Sequence, residues 1–262
     1  MSYWKDKVVL VVGGSAGLGF ELAKACLAKH ARVGIVARDR DRLNEAKQKL
    51  DQPVAVFVAD ITNQDDVDRL QSEVLEEFGK VDAVVNCAGK STRGAVLETS
   101  PDEFQHLFDL NFLGLVRVTQ AFMDPLKESR GHLVNIGSLA AKAVSRYLGA
   151  YPVSKFSVAA YSQQLRLEQS EVHVLLVCPG PIARPDAGQR YDKTDVPAGA
   201  QQPGGGVKLK GLDPKVLCGA ILVACERRQL ELVMPFKAKF LFAIGQLYPR
   251  LGDWLISKMT KT

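Results

Sequence analysis

Seven short runs of aliphatic and β-branched residues, apolar at nearly every position, divide this chain: VVLVV (8–12), RVGIVA (32–37), VAVFVA (54–59), DAVVN (82–86), HLVNI (132–136), VHVLLVC (172–178) and LELVM, which ends at Pro235. A strand with one wet face alternates apolar and polar residues. Strands that are apolar throughout must be buried on both faces, as in a parallel sheet covered by helices. The intervening segments supply those covers, with helical periodicity over 17–30, 41–50, 64–78, 150–169 and 214–226 and over a longer stretch from Pro101. Ser100, Pro101 and Glu103 mark the start of that stretch as a capping box with proline at the first helical position. The pattern predicts an α/β fold, a doubly wound, seven-stranded parallel sheet with helices on both faces. With 262 residues, no internal repeat and no obvious linker, the chain reads as a single domain, 1–262.

Two segments depart from the rhythm. Residues 184–211 are rich in glycine, proline and polar side chains without periodicity, which predicts a flexible substrate loop over about 183–211. From 236 to 262, Phe240, Ile244, Leu247, Leu251 and Trp254 recur at spacings of three and four, an amphipathic stripe interrupted by Gly245, Pro249 and Gly252. Packing of that stripe on its own domain, over the substrate site or on another subunit is the preferred reading. Attachment to an anionic membrane surface is the alternative, suggested by the aromatics together with Lys237, Lys239, Arg250, Lys258 and Lys261.

Composition narrows the setting. The five cysteines are odd in number, form no C-x-x-C pair and fall mostly in apolar runs, which predicts buried free thiols in a reducing compartment, the cytoplasm, and no metal site. No signal peptide precedes the first strand, and no stretch approaches the ~18 apolar residues that span a bilayer. The net charge of +5 is modest and gathered largely in the tail, so nothing points to nucleic acid.

The first strand runs into VGGSAGLG, with glycines at 13, 14, 17 and 19, before a helix opens. Glycines there let the turn take positive φ and let backbone N–H groups approach a pyrophosphate at the positive end of a helix, which points to a dinucleotide. Cofactors without a ribose phosphate usually meet Asp or Glu at the end of the second strand, whereas Ala37 is followed by Arg38. A guanidinium suits a 2′-phosphate, so NADP(H) is preferred over NAD(H). Asp60, at the end of the third strand, is placed to meet the adenine amino group, to cap the next helix, or to do both. Tyr151 and Lys155 in YPVSK share a helix face four residues apart, thirteen residues after Ser138. The pattern repeats in Tyr3 and Lys7, which precede the first strand and read as an N-terminal surface pair.

Together these residues resemble the short-chain dehydrogenase/reductase family in its single-domain, Rossmann-type branch. The resemblance spans Val8 to Pro235 and rests on VGGSAGLG, NCAG (86–89), Asn111 in LNFLG, Ser138, YPVSK and PGPI (179–182), all in the family's order. It implies a catalytic set of Asn111, Ser138, Tyr151 and Lys155. Ser138 would hold a carbonyl oxygen, Tyr151 would protonate it as hydride arrives, Lys155 would stabilise the phenolate and bond the nicotinamide ribose, and Asn111 would seat a water in a proton relay. A free phenol titrates near ~10 and needs such help at neutral pH. The cofactor would lie along Gly13, Ser15, Gly17, Leu18, Gly19, Arg38, Asp60, Ile61, Asn86, Ala88, Gly89, Tyr151, Lys155, Pro179, Gly180 and Ile182, with Asn86, Ala88 and Gly89 also serving the central sheet. Two departures stand out: Val12 replaces the usual threonine before the first glycine, and Arg184 stands where many relatives carry threonine.

The resemblance therefore implies an NADP(H)-dependent oxidoreductase interconverting a ketone or aldehyde and its alcohol, working as a homodimer or homotetramer. The pocket is expected from KSTRGAVLE (90–98), LAAKAVSRY (139–147) and the loop from Ala183, mainly small or apolar residues that favour a small to medium, fairly hydrophobic substrate. Two rivals remain. One is a catalytically silent NADP(H)-sensing protein, the other a reductase of carrier-bound 3-oxoacyl chains docking on Arg117, Lys127 and Arg130.

Overall fold

The computed structural model describes residues 2–183, 196–197, 200 and 211–260. Arg184 and nearly all of the 183–211 segment lie outside the described residues, as does Lys261. The seven apolar runs form β1 (Val8–Val12), β2 (Arg32–Ala37), β3 (Val54–Val58), β4 (Ala83–Asn86), β5 (His132–Ile136), β6 (His173–Pro179) and β7 (Glu231–Met234). They pair in the order β3-β2-β1-β4-β5-β6-β7, parallel throughout. The winding reverses between β1 and β4, so a crevice opens there at the carboxyl ends of the strands.

Each strand sends alternate side chains to opposite layers. Val9 and Val11 join one core, with Leu22, Cys26, Leu43 and Ile221 from α1 (Gly17–Leu27), α2 (Arg40–Leu50) and a later helix, α7 (Pro214–Glu226). Leu10 and Val12 join the other, with Leu70, Phe122 and Leu165 from α3 (Gln64–Phe78), α5 (Gly114–Glu128) and α6 (Tyr151–Glu168). Each fully buried side chain of this size contributes about 1.5–3 kcal/mol, so the two-sided apolar strands are the main source of stability.

The stretch from Pro101 is not one helix. It runs as α4 (Pro101–Phe108), a π-helical turn over Asp109–Leu113, and α5. Ser100 caps α4 by accepting from the Glu103 N–H at 3.2 Å. The tail is not one amphipathic helix either: α8 (Ala238–Leu247) and α9 (Pro249–Met259) fold back on each other. The interruptions seen in the sequence are the reason. Pro249 opens the second helix, and the helices cross where Gly245 and Gly252 touch, so closely that a Cβ on Gly252 would lie 2.5 Å from the Gly245 Cα.

The amino edge of the sheet holds a buried hydrogen-bond chain. The His173 Nε2 lies 2.7 Å from the Gln229 carbonyl, which only accepts, so that nitrogen carries a proton. His173 Nδ1 must then accept from His132 Nδ1 at 2.8 Å, and His132 Nε2 accepts from the Tyr3 hydroxyl at 2.7 Å. Tyr3 is thus more than half of a surface pair: its phenol donates inward, while the Lys7 ammonium sits 4.8 Å from the ring centre. Burial pushes His132 down to about 3, reinforced by His173, and lowers His173 as well. The His132 ring is therefore neutral when folded and takes a proton when unfolded, so this contribution is intact above the unfolded histidine value near ~6.5 and is lost as pH falls toward 3, with His173 acting in the same direction. Denaturant titrations should show about 2 kcal/mol of stability lost between pH 7 and pH 5, beyond that seen when both histidines are replaced by glutamine.

Candidate active site

The crevice is a cavity of about 1200 Å³ over the carboxyl ends of β1, β2, β4, β5 and β6. Its first wall is the turn from β1 into α1. Gly13 takes φ +84°, and a Cβ there would lie 2.7 Å from the Ala88 nitrogen. Gly19 packs directly on the Gly13 carbonyl. The helix beyond has no side-chain cap at Ala16 and no acid in its first turn, so its leading N–H groups remain available to an anion. Glycines that leave no room for side chains, beside an uncapped helix start, fit the pyrophosphate of a dinucleotide.

Ser15, Gly17, Leu18, Arg38, Asp60, Ile61, Ala88, Gly89, Pro179, Gly180 and Ile182 also line the cavity. Asp60 does not cap the following helix: Asn63 does, accepting from the Asp66 N–H. Asp60 instead receives Thr62 through one oxygen, with its N–H at 2.9 Å and its hydroxyl at 2.8 Å. Two neighbours of Arg38 share the wall and were not singled out from the sequence. Asp39 brings a carboxylate, occupied in capping α2 and within 3.5 Å of Arg42 Nε. Arg42 brings a second guanidinium. Arg38 precedes the cap and Arg42 lies in the first turn of α2, so their meeting depends on where that helix starts. Pro179–Ile182 is tied down by the Gly180 N–H donating to the Met234 carbonyl at 2.7 Å and by a bridge from Ile182 to Leu212.

At the centre, Ser138, two residues past the end of β5, is extended and accepts from the Ala140 N–H at 3.0 Å. Tyr151 is the first residue of α6, with Lys155 one turn on. Both side chains line the cavity beside Ser138. The Lys155 ammonium donates to the Ile136 carbonyl at 2.8 Å and lies 6.0 Å from the Tyr151 ring centre. Burial lowers Lys155 to about 8. The cation is therefore held at neutral pH but close to release. Cys87 also faces the cavity, and burial pushes its thiol up.

Asn86 and Asn111 stand behind the cavity wall. Asn86 donates to the Asn135 side chain at 2.9 Å across the β4–β5 pairing, and Asn135 donates to Ser162 of α6 at 3.0 Å. Asn111 sits in the π-helical turn. Its Oδ1 accepts from the Lys90 N–H at 2.8 Å, and its Nδ2 donates to the Lys90 carbonyl at 2.9 Å and the Ser154 hydroxyl at 3.0 Å. Both amide N–H groups are thus engaged and Oδ1 already accepts one bond, so the side chain is held in place by its neighbours.

The outer part of the cavity differs from expectation. Lys90, Ser91 and Arg93 line it, but Val96 and Leu97 of the same segment are exposed. Leu139, Ala143 and Val144 do line it, and the apolar surface opposite comes from Leu241, Phe242, Ile256 and Met259 of the C-terminal hairpin.

The short chain dehydrogenase family model matches residues 7–195. An uncharacterized oxidoreductase of Bacillus subtilis, YxnA, is 30% identical over 97% of this chain and 72% of its own length. Among solved structures, an alcohol dehydrogenase from the archaeon Thermococcus sibiricus, complexed with 5-hydroxy-NADP, superposes with a TM-score of 0.73 at 26% identity over 88% of this chain and 96% of its own. A short chain dehydrogenase/reductase from Burkholderia phymatum, in complex with NAD, reaches 0.83 over 96% of both chains at 21% identity, a likeness of fold alone. The chain belongs to the short chain dehydrogenase family and is an oxidoreductase.

The glycine cradle supplies a direct check. Gly13→Ala puts a side chain at positive φ against the Ala88 backbone. Calorimetric titration should show dinucleotide affinity lowered about tenfold or more, and denaturation a loss of about 1–3 kcal/mol.

Proposed function

We propose that this member of the short chain dehydrogenase family interconverts a ketone or aldehyde and its alcohol, with NADP(H) preferred over NAD(H). One observation carries the reading: Ser138, Tyr151 and Lys155 meet in the same cavity as the glycine cradle. When bound, the dinucleotide would give hydride to the carbonyl carbon or take it from the alcohol. The residues around it have separate tasks. Gly13, Ser15, Gly17, Leu18 and Gly19 would hold its pyrophosphate at the start of α1, and Asp60 and Ile61, with Ala88 and Gly89, would hold the adenosine half. Pro179, Gly180 and Ile182 would seat the nicotinamide, and Lys155 its ribose.

The Ser138 hydroxyl donates to the substrate oxygen and orients it, while Tyr151 Oη passes its proton to that same oxygen during reduction and recovers it during oxidation. The Lys155 ammonium favours the phenolate electrostatically. Since both Asn111 amide N–H groups are engaged by Lys90 and Ser154, its share in a proton relay falls to its oxygens. Asn86 acts on the site only by fixing β4 against β5.

Cofactor preference rests on this chain's own residues, because the two solved relatives carry one dinucleotide of each kind. Arg38 and Arg42 line the second-strand corner, and the nearby Asp39 carboxylate is occupied by the helix cap. Two guanidiniums favour a 2′-phosphate. The apolar surfaces of Leu139, Val144, Leu241, Phe242 and Met259 favour a small to medium hydrophobic substrate. A carrier-bound chain would want a free basic patch, but two of the three named bases are engaged, Arg117 with Asp109 at 2.8 Å and Lys127 with Asp124, which leaves exposed Arg130. Exposed Val216, Val223 and Leu230 support assembly into a homo-oligomer.

Tyr151→Phe should bind NADPH nearly as the parent does and lose roughly a hundredfold or more in turnover. Substantial NADPH consumption by that variant would overturn the mechanism. NADPH should bind about tenfold or more tightly than NADH, with Arg38→Asp reversing the order. An unchanged preference, measured by fluorescence titration, would remove Arg38 from the site.

A further inference from the structure

The α8–α9 hairpin has two apolar faces with different surroundings. Its inner residues, Leu241, Phe242, Ile256 and Met259, wall the cavity. Its outer residues do the opposite of what a packed helix requires. Phe236, Phe240, Leu247, Tyr248 and Trp254 are 64, 65, 74, 65 and 51% exposed. Large apolar side chains left this exposed on one short segment, with the Phe236 and Phe240 rings 6.1 Å apart, mark a surface that another phase or molecule covers.

Charge identifies the covering. Over 236–260 the tail carries four bases, Lys237, Lys239, Arg250 and Lys258, against the single acid Asp253. Two of these cations sit on the exposed rings themselves, Lys258 at 4.0 Å from the Trp254 ring centre and Lys239 at 5.3 Å from Phe236. In a two-fold contact between copies the same patch meets itself, and these cations would face one another. An anionic lipid surface has the complementary charge, and aromatic rings beside long basic side chains suit the boundary between headgroups and acyl chains. No helix among the described residues is long and apolar enough to cross a bilayer.

We propose that the α8–α9 hairpin seats the protein on an anionic bilayer surface and that the cavity behind it takes its carbonyl substrate, a lipid-soluble molecule, from that surface. The second half rests on the oxidoreductase reading above. The first half does not. The hairpin is the wall shared by the two compartments, with exposed rings outside and Leu241, Phe242, Ile256 and Met259 on the cavity that also holds Tyr151, so a substrate leaving the lipid enters past apolar side chains.

The experiment uses the full chain with vesicles of phosphatidylcholine alone or mixed with phosphatidylglycerol. Co-sedimentation is expected with the mixed vesicles and lost in high salt. Intrinsic fluorescence should shift to the blue on binding, because Trp4 is already buried at 1% exposure and Trp254 is half exposed. Phe240→Ser with Trp254→Ser, and separately Lys239→Glu with Lys258→Glu, should each weaken binding about tenfold or more while melting like the parent. NADPH consumption with a water-soluble ketone should be unchanged in both variants, whereas consumption with a long-chain ketone dissolved in the vesicles should fall about tenfold. Failure of the parent to sediment with anionic vesicles overturns the docking. So does self-association, read by sedimentation velocity, that the same variants abolish. Sedimentation with no turnover of any ketone keeps the docking and overturns the proposed carbonyl reduction. Equal loss on soluble and vesicle-borne ketones overturns delivery from the surface.

Discussion

Parallel pairing is the constraint on which the rest depends. Strands that all run one way bring all their carboxyl ends to one edge, and each return must cross over through a helix. Gly13 after β1, Arg38 after β2, Ser138 after β5 and Ile182 after β6 are spread along the chain from position 13 to position 182. They share a cavity because of strand direction. The opposite edge shows the same logic with another outcome. Tyr3, His132 and His173 meet at the amino ends of the sheet and spend their polar atoms on one another and on Gln229. The two Tyr/Lys pairs of this sequence are distinguished by the end of the sheet on which they lie.

Positioning of the central side chains relies on buried polar bonds. The chain from Asn86 through Asn135 to Ser162 ties the two middle strands to α6, the helix that carries Tyr151 and Lys155. A bond between buried neutral partners gains little net energy, but an unmatched partner is costly, so such a chain tolerates few alternative registers. The Lys155 bond to Ile136 does the same nearer the chemistry, anchoring a cation to the last residue of β5.

The strands were legible in the sequence because burial on both faces leaves an unmistakable apolar run. Helices such as Gln64–Phe78 and Pro214–Glu226 were legible because one face alternates with the other. What escaped were features that depend on a third element. The π-helical turn around Asn111 has no local signature, since it is held by Lys90 and Ser154 from elsewhere in the chain. The tail read as one interrupted stripe because periodicity ignores chain reversal. Gly245 and Gly252, which looked like defects in a helix, are the contact that allows two helices to cross. Asp39 and Arg42 lay hidden in a run of mixed charge whose geometry only the start of α2 resolves.

The thiol in the cavity has a chemical consequence. Thiolates, not thiols, attack electrophiles, and burial holds Cys87 in its protonated form. A ligand in the chamber therefore meets a sulfur of low nucleophilicity. The low polarity that keeps the sulfur inert is also the medium in which a phenol and an ammonium interact most strongly. Burial of these polar groups thus both quiets the Cys87 thiol and strengthens the effect of the Lys155 ammonium on its neighbours.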